Sequence, residues 1–222
     1  MQQLIKLDYG CGSGGFEEIA YPEPVLNSWL MANSGPNSYG IDINPLRIES
    51  AKQRINNGTK LIVMDGRKLD FPDNYFDVVH EWAVFHHMPD FTDGVKEVHR
   101  VLKPGGIFLM TESVDNDVTF RLMRRIFNKW NDDDVSSYFD TRLLNSVLRR
   151  YFMLDSHSYH WRFLLSDFLR EYHLEPRFSL VLNDWISKVF NSVGLGEKTC
   201  CHYSVRAINI KKRSESNAKL KR

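Results

Sequence analysis

The segment "LDYGCGSGGF", residues 7–16, decides how the rest of the chain is interpreted. It contains four glycines, and they follow a short apolar run that is typical of a buried strand. Glycine lets the backbone bend sharply and lets a ligand approach closer than a Cβ atom would permit. The segment therefore predicts a ligand-binding turn at the end of a first strand.

The glycine spacing fits two kinds of ligand. Gly10, Gly12 and Gly15 form the G-x-G-x-x-G pattern of a dinucleotide-binding turn. Asp8 with Gly10, Gly12 and Gly14 instead forms the acidic-x-G-x-G-x-G pattern of a turn that receives S-adenosylmethionine. The glycines alone leave both ligands open, so other segments have to decide between them.

Composition and charge are those of an ordinary globular domain. The chain has 222 residues, of which 42% are hydrophobic and 26% charged, and its net charge is +1 at pH 7. This balance gives no global field that would attract nucleic acid or a membrane surface. The three cysteines have no spacing typical of a zinc site or a disulfide framework, so no metal is predicted. No signal peptide or membrane-spanning run is recognised, and we expect a cytoplasmic protein.

Apolar runs alternate with helical patterns along the first half of the chain. Strands are predicted over residues 3–9, 38–43, 60–65, 76–82 and 107–112. A helix is predicted after the second strand, with Asn44 as N-cap, Pro45 in the first turn and Gly58 at its end. Another is predicted over 91–102, stopped by "KPGG". This alternation predicts an α/β fold, a doubly wound parallel sheet with helices on both faces.

In such a sheet the carboxyl ends of the strands lie at one edge, and ligands bind there. Each of the five predicted strands ends in or near an acidic residue: Asp8, Asp42, Asp65, Glu81 and Glu112. A single acid at a strand end is usually a solvated turn residue. The repetition favours a functional edge.

Four segments then decide between the two ligands: "LDYGCGSG", "GIDINP", "VMDGRKLDFPDNYFDVVHEWAVFHHMPD" and "EVHRVLKPGGIFLMTE". With them the chain resembles the class I S-adenosylmethionine-dependent methyltransferases, almost continuously over residues 4–112. The resemblance is to the small-molecule branch that includes the quinone-biosynthesis methyltransferases. It implies a Rossmann-like seven-stranded sheet, mostly parallel with an antiparallel last strand, and a helical insertion between strands six and seven.

The resemblance also implies a cofactor, S-adenosylmethionine, with S-adenosylhomocysteine as its product. The backbone of Gly10, Cys11, Gly12 and Gly14 would receive the amino-acid part of the cofactor, and Asp8 would lie near its ammonium group. This ligand carries no phosphate, so the turn supplies space and carbonyl groups as much as an anion site.

The nucleoside part would contact the ends of the following strands. Asp42 would accept hydrogen bonds from both ribose hydroxyls, since a carboxylate offers two acceptor oxygens to a cis diol. Ile43 would cover the adenine. Asp65 would accept from the adenine amine, with Gly66 and Arg67 beside the ring. Glu81 or Trp82, at the end of strand four, would line the methyl-transfer channel.

His86 and His87 are the candidate catalytic residues. Methyl transfer is an in-line displacement that mainly requires aligned partners in a water-free site. An oxygen acceptor must also lose a proton, for which histidine is suited near neutral pH. Both histidines follow strand four at the ligand edge, although one of them could instead cap the next helix. His157, Tyr159 and His160 are further candidates.

The second half of the chain is less regular. Helices are predicted over 118–130 and 143–148, the latter capped by Asp140 or Thr141, and strands over 151–161 and 200–212. The aromatic, helical insertion 162–196, broken at Pro176, is either a pair of core-covering helices or a hydrophobic cap over a lipid-like acceptor. One domain is predicted over 1–212, followed by a basic, disordered tail over 213–222.

The predicted function is methyl transfer to a small-molecule or lipid-like acceptor. An RNA or protein methyltransferase is the first alternative, although strand four lacks the N/D-P-P-Y/F signature of many base-methylating enzymes, and nucleic acid is not the predicted partner. A non-catalytic S-adenosylmethionine-binding protein is the second, and an NAD-dependent oxidoreductase the third. A weak contact of the basic tail with RNA or with anionic lipid also stays open.

Overall fold

The computed structural model describes residues 4–14, 35–114, 139–160, 177–200 and 202–211, without the side chains of 177–184 and Thr199. The strands are β1 (Lys6–Tyr9), β2 (Ser38–Asp42), β3 (Lys60–Val63), β4 (Phe76–Trp82), β5 (Leu102–Ser113), β6 (Phe152–His160) and β7 (His202–Asn209). The helices are α1 (Pro45–Arg54), α2 (Phe91–Val101), α3 (Thr141–Leu148), α4 (Arg177–Ser192) and α5 (Gly196–Thr199). A short 3-10 turn covers Phe85–His87 between β4 and α2.

All seven strands belong to one sheet, in the order β3–β2–β1–β4–β5–β7–β6. Neighbouring strands from β3 to β5 are parallel, whereas β7 runs antiparallel to both β5 and β6. This confirms the predicted mostly parallel sheet with an antiparallel last strand. The chain order reverses between β1 and β4, and ligands bind at such a switch point in open α/β sheets.

Strand register brings the predicted acidic residues to one edge. Asp8 in β1 pairs with Gly40 of β2 on one side and with His80 of β4 on the other. Glu81 of β4 pairs with Met110 of β5, two positions before Glu112. The ends of these parallel strands therefore lie together, as the alternation of strands and helices predicts.

The main core covers one face of the sheet. Because side chains alternate along a strand, the buried residues Leu7, Val79 and Phe108 share this face. They form one cluster with Val95 and Val98 of α2, and with Leu144 and Leu148 of α3. Full burial of one such side chain contributes about 1.5–3 kcal/mol.

The predicted start of α1 is confirmed and its predicted end is wrong. The Asn44 side chain accepts a hydrogen bond from the Leu46 N–H at 2.9 Å, as an N-cap does. The helix ends at Arg54, however, and Ile55 is already extended. Ile55 leaves the helix because its side chain packs beside Gly14, and Gly58 lies in the following turn with φ +87°.

Two other boundaries differ from the sequence prediction or refine it. Asp140 is the N-cap of α3, since its carboxylate accepts the Arg142 N–H at 2.6 Å, and Thr141 is the first helical residue. β5 begins directly at Leu102, before the "KPGG" segment that was expected to precede the strand. The register between β4 and β5 shifts at this point, so "KPGG" forms an irregularity inside β5.

Arg100 joins the two segments that are most specific to the resemblance. Its guanidinium donates to the carbonyls of Leu69 and Phe71 and pairs with Asp73, each at 2.7–2.8 Å. It also pairs with Glu97, whose carboxylate accepts the Leu69 N–H at 2.7 Å. The "DFPD" segment is therefore fixed to α2 by a structural network.

Several predictions fall on residues that the structure does not describe. These are the helix over 118–130, the first part of the insertion 162–196 and the tail 213–222. Within the insertion, α4 covers Arg177–Ser192, and the predicted break at Pro176 lies outside the described residues. None of the helices in the described ranges is long and apolar enough to cross a membrane.

Candidate active site

The turn after β1 contains three glycines with positive φ: +75° at Gly10, +54° at Gly12 and +75° at Gly14. A Cβ atom at Gly10 would overlap the side chain of Val84, and one at Gly14 would lie 2.7 Å from the Ile55 side chain. A Cβ atom at Gly12 would meet no atom of the described residues within 4 Å. Packing thus requires two of the glycines, whereas Gly12 borders open space among the described residues.

Asp42 fixes this turn from the end of β2. One carboxylate oxygen accepts the Gly12 N–H at 3.0 Å and the other accepts the Asn44 N–H at 2.8 Å. The Cys11 N–H donates to the Ile41 carbonyl at 2.8 Å. Because a carboxylate oxygen accepts more than one hydrogen bond, the Asp42 carboxylate also has acceptor capacity for a diol.

Asp8 is held by a residue that sequence analysis did not single out. The His80 Nδ1 atom lies 2.7 Å from Asp8 Oδ1, and both side chains are buried. Asp8 and His80 are directly opposite each other on β1 and β4. The pair fixes the orientation of the carboxylate that the resemblance places near the cofactor's ammonium group.

The Cys11 thiol lies within this turn. Burial and the nearby charges of Asp8 and Asp42 raise the pKa of Cys11 well above its usual range. The side chain therefore stays a neutral thiol at physiological pH, in contrast to a reactive thiolate. Cys11 contributes its backbone and its small apolar side chain to the site.

The predicted adenine side lies after β2 and β3, whose ends are adjacent. Ile43 is 65% exposed and offers an apolar surface there. The Asp65 carboxylate accepts the Arg67 backbone N–H at 2.9 Å and pairs with its guanidinium at 2.7 Å, which lowers the pKa of Asp65. Gly66 has a packing role as well, since a Cβ atom there would overlap the Tyr9 hydroxyl.

A strained turn connects β4 to α2 above the glycine turn. Ala83 has φ +55°, which is uncommon for a residue with a Cβ atom, and Val84 packs on Gly10. Two carboxyl groups accept the N–H groups of this turn. Glu81 bonds to the Val84 N–H and Glu112 bonds to the Phe85 N–H, both at 2.6 Å.

His86 and His87 differ in their surroundings. His86 is buried, and its Nδ1 atom lies 2.7 Å from the second oxygen of Glu112. His87 is exposed, with its ring centroid 4.2 Å from that of His86. The His86 ring is thus oriented by a buried carboxylate.

Glu81 and Trp82 point to opposite faces of the sheet. Glu81 is fully buried beneath the turn, and burial together with the Glu112 charge raises the pKa of Glu81 well above its usual range. Trp82 stacks on His202 of β7, with ring centroids 6.4 Å apart and planes at 18°. Of the two residues predicted to line the channel, Glu81 thus supports the turn from within the core, and Trp82 lies on the other face of the sheet.

A polar row continues on the Trp82 face across β5, β7 and β6. Ser204 is hydrogen-bonded to Thr111 at 2.8 Å and to His160 at 3.1 Å, and His160 contacts Ser158 at 3.0 Å. His157 and Tyr159 lie on the opposite face, where both rings pack against Tyr203. The structure thus separates His160 from the other two further candidates.

Within the described ranges, no group of three or more His, Cys, Asp or Glu side chains is arranged to hold a metal ion. The arrangement combines a glycine turn after β1, a carboxylate after β2 and an antiparallel seventh strand. These features define a class I methyltransferase fold.

Comparison with known proteins agrees with this assignment. Residues 7–110 match the family model described as a methyltransferase domain. Over these residues the chain is similar to class I S-adenosylmethionine-dependent methyltransferases that act on small molecules. Enzymes of this family use S-adenosylmethionine as methyl donor.

The curated relatives are longer proteins. A sterol 24-C-methyltransferase of Aspergillus fumigatus is 35% identical over 121 residues, which cover 50% of this chain and 29% of that protein. A 2-methyl-6-phytyl-1,4-hydroquinone methyltransferase of Synechocystis is 33% identical over 135 residues, covering 56% of this chain and 39% of the relative. A demethylmenaquinone methyltransferase of Geobacillus stearothermophilus is 34% identical over 113 residues, which cover 48% of this chain and 44% of that protein. The chain thus spans less than half the length of these relatives.

Solved structures share the fold at low sequence identity. A methyltransferase from Thermotoga maritima superimposes with a TM-score of 0.61 at 13% identity, over 95% of this chain and 84% of the other. The [4+2]-cyclase SpnF superimposes with a TM-score of 0.58 at 18% identity, over 93% of this chain and 74% of the SpnF chain. At such identities the likeness shows the fold alone.

Proposed function

We propose that this chain transfers a methyl group from S-adenosylmethionine to a small-molecule or lipid-like acceptor. The observation that carries the proposal is the glycine turn at the sheet's switch point. Gly12 borders open space in the left-handed conformation, and its N–H is tied to the Asp42 carboxylate. The sterol, hydroquinone and demethylmenaquinone methyltransferases among the relatives support an acceptor of this class.

The described residues fit the cofactor. Bound S-adenosylmethionine would supply an electrophilic methyl group on a positively charged sulfur. Gly12 would leave room for its amino-acid part, and Asp8, oriented by His80, would face the ammonium group. Asp42 would accept the ribose hydroxyls, while Ile43 would cover the adenine.

Further residues would complete the site. Asp65 and Arg67, already paired with each other, would border the adenine together with Gly66. Trp82 would form an aromatic wall of the acceptor channel with its stacking partner His202. A site made of two stacked rings and the polar row beyond them suits an acceptor with both an apolar body and an oxygen function.

The insertion between β6 and β7 would serve as a cap over a lipid-like acceptor. Trp185 and Val189 on α4 and Val193 directly after its end recur every four residues, and they are 61%, 36% and 61% exposed. Such a row of apolar side chains on one helix face supports contact with a hydrophobic molecule. We also propose a cytoplasmic location, as the sequence predicts.

The test combines binding and transfer. In titration calorimetry we expect S-adenosylhomocysteine to bind and NADH not to bind. Asp42→Asn should weaken binding by about 10- to 100-fold, because charged hydrogen bonds are worth about 1.5–3 kcal/mol. Glu49→Gln on the exposed face of α1 is the matched control and should bind as the wild type does.

Methyl transfer is then measured with labelled S-adenosylmethionine and separate metabolite, lipid and RNA extracts. We expect label in the metabolite or lipid fraction. Label in RNA or protein alone would favour the RNA or protein methyltransferase, and binding without any transfer would favour a non-catalytic binding protein. Binding of NADH in place of S-adenosylhomocysteine would overturn the proposal.

A further inference from the structure

Two carboxyl groups lie buried together beneath the turn that follows β4. Glu81 and Glu112 are both fully buried, with 0% of either side chain exposed, and they lie on adjacent strands. Like charges on neighbouring buried groups repel each other, which favours a proton on one of the two carboxyl groups. The proton stays on Glu81, since burial and the Glu112 charge raise the pKa of Glu81.

The two carboxyl groups accept hydrogen bonds from different residues of the turn. Glu81 uses one oxygen for the Val84 N–H, so it fixes the backbone that packs on the glycine turn. Glu112 uses one oxygen for the Phe85 N–H and the other for His86 Nδ1. Glu112 therefore fixes both the backbone before the His86 ring and the ring itself.

We propose that Glu112 is a positioning residue that holds His86 as the general base for an acceptor with an ionisable hydroxyl group. The proposal rests on the proposed methyl transfer and narrows its acceptor to an oxygen nucleophile. A carboxylate behind imidazole selects the tautomer with hydrogen on Nδ1. The Nε2 atom then carries the basic lone pair.

The chemistry balances without a further reactant. The acceptor oxygen gives its proton to His86 Nε2 as it forms a bond to the methyl carbon. The electron pair of the breaking carbon–sulfur bond stays on sulfur, so the positive charge of the sulfonium is replaced by that of imidazolium. Glu112 then stabilises the imidazolium at 2.7 Å, and the proton returns to solvent after product release.

Other titratable groups around the cluster do not take over this role. Tyr9 of β1 and Tyr203 of β7 face it from either side, and burial raises the pKa of each, so both stay neutral near pH 7. The charges that reach these tyrosines come from Glu81, Asp65, Glu97 and Arg67 for Tyr9, and from Arg149, Glu197 and Cys200 for Tyr203. His87 is the exposed neighbour of His86 on the turn.

The first measurement needs no acceptor. Nitrogen chemical shifts in the NMR spectrum of the ligand-free chain identify the tautomer of His86, assigned by comparison with His86→Gln. We expect hydrogen on Nδ1 in the wild type, and a mixture of tautomers in Glu112→Gln. Hydrogen on Nε2 in the wild type would overturn the proposal, whatever the outcome of the activity assay.

The second measurement uses 4-octylphenol and 4-octylaniline as acceptors with labelled S-adenosylmethionine. We expect methylated phenol, at least tenfold faster than methylated aniline. In Glu112→Gln, kcat should fall at least tenfold and the acidic limb of the kcat/KM profile should move to lower pH, because imidazolium then lacks its carboxylate partner. Affinity for S-adenosylhomocysteine should stay within about twofold.

Controls separate this inference from the proposed function. Glu49→Gln should leave the rate unchanged, and Glu112→Asp, which keeps the charge, should recover the wild-type pH profile if not the full rate. If the wild type methylates the phenol and Glu112→Gln keeps its rate and profile, the positioning role is wrong while methyl transfer stands. If Glu112→Gln does not fold, the proposal is tested on the wild type alone, by the tautomer of His86 and by the ratio of the phenol to the aniline methylation rate. A rate ratio below one overturns the proposal.

Discussion

The His80 Nδ1 atom lies 2.7 Å from Asp8 Oδ1, between two buried side chains on the central strands β1 and β4. The two residues are 72 positions apart in the chain, and the strand register places them side by side. The carboxylate at the mouth of the glycine turn is thus oriented by the neighbouring strand. The predicted ligand contact of Asp8 depends on this orientation.

Replacement of His80 should therefore weaken cofactor binding without direct loss of a ligand contact. In His80→Phe, the ring volume is kept and the partner of Asp8 is lost. We expect the Kd for S-adenosylhomocysteine to rise about tenfold, equivalent to about 1.4 kcal/mol. Calorimetry measures this change, with Glu49→Gln as control; an unchanged Kd in a folded variant would show that the pair is not needed for binding.

The glycine turn offers a matched pair of substitutions that separates packing from binding. Both Gly10 and Gly12 have positive φ, where alanine costs about 1–2 kcal/mol. At Gly10 the added methyl group also overlaps Val84, whereas at Gly12 it enters open space. Gly10→Ala should lower the free energy of unfolding more than Gly12→Ala, by about 1–3 kcal/mol.

The same pair should behave differently with ligand. We expect Gly12→Ala to remain folded and to lose most of its affinity for S-adenosylhomocysteine, because the methyl group occupies the space of the ligand. Urea denaturation and calorimetry on both variants check the two effects. Equal unfolding free energies, or full affinity in Gly12→Ala, would show that the open space at Gly12 is not the cradle.

The sheet is predictable from the sequence because its signals are local. Apolar runs, the Asn44 cap and the repeated acidic residues are each visible within a few positions, and parallel strands bring their ends to one edge. The end of α1 was mispredicted because Gly58 is a common local stop signal. The decisive factor was tertiary, since Ile55 leaves the helix to pack beside Gly14.

The contacts within the site are not local, and this limits what the sequence reveals. The Asp8–His80 pair and the Glu112–His86 pair each join different strands or turns, so strand order and register must be known first. Gly66 was interpreted as a neighbour of adenine, yet its missing side chain also makes room for Tyr9. A motif residue can thus have a packing role that its position in the motif does not indicate.

The contacts of Arg100 predict a structural role for the "DFPD" segment. Arg100→Lys keeps the charge but loses the planar guanidinium that reaches the Leu69 and Phe71 carbonyls together with Glu97. We expect the free energy of unfolding to fall by about 1–3 kcal/mol, with affinity for S-adenosylhomocysteine retained. Lys96→Gln, on the exposed side of the same helix, is the control, and a stability loss of equal size there would contradict a specific role of Arg100.

The buried proton on Glu81 predicts how stability depends on pH. Burial and the Glu112 charge raise the pKa of Glu81 in the folded chain above its value in the unfolded chain. The protonated group therefore favours the folded state, fully below the ordinary glutamate pKa of about 4.3, and this contribution is lost as the pH rises toward the raised pKa. The slope is at most about 1.4 kcal/mol per pH unit for one proton.

Glu81→Gln mimics the protonated side chain and cannot lose a proton. We expect its unfolding free energy, measured by urea denaturation between pH 5 and 8, to fall less steeply with pH than that of the wild type. The difference between the two proteins should therefore grow as the pH rises, in favour of the variant. Parallel curves for the two proteins would mean that Glu81 is already ionised in the folded chain, and the pair with Glu112 would then not share a proton.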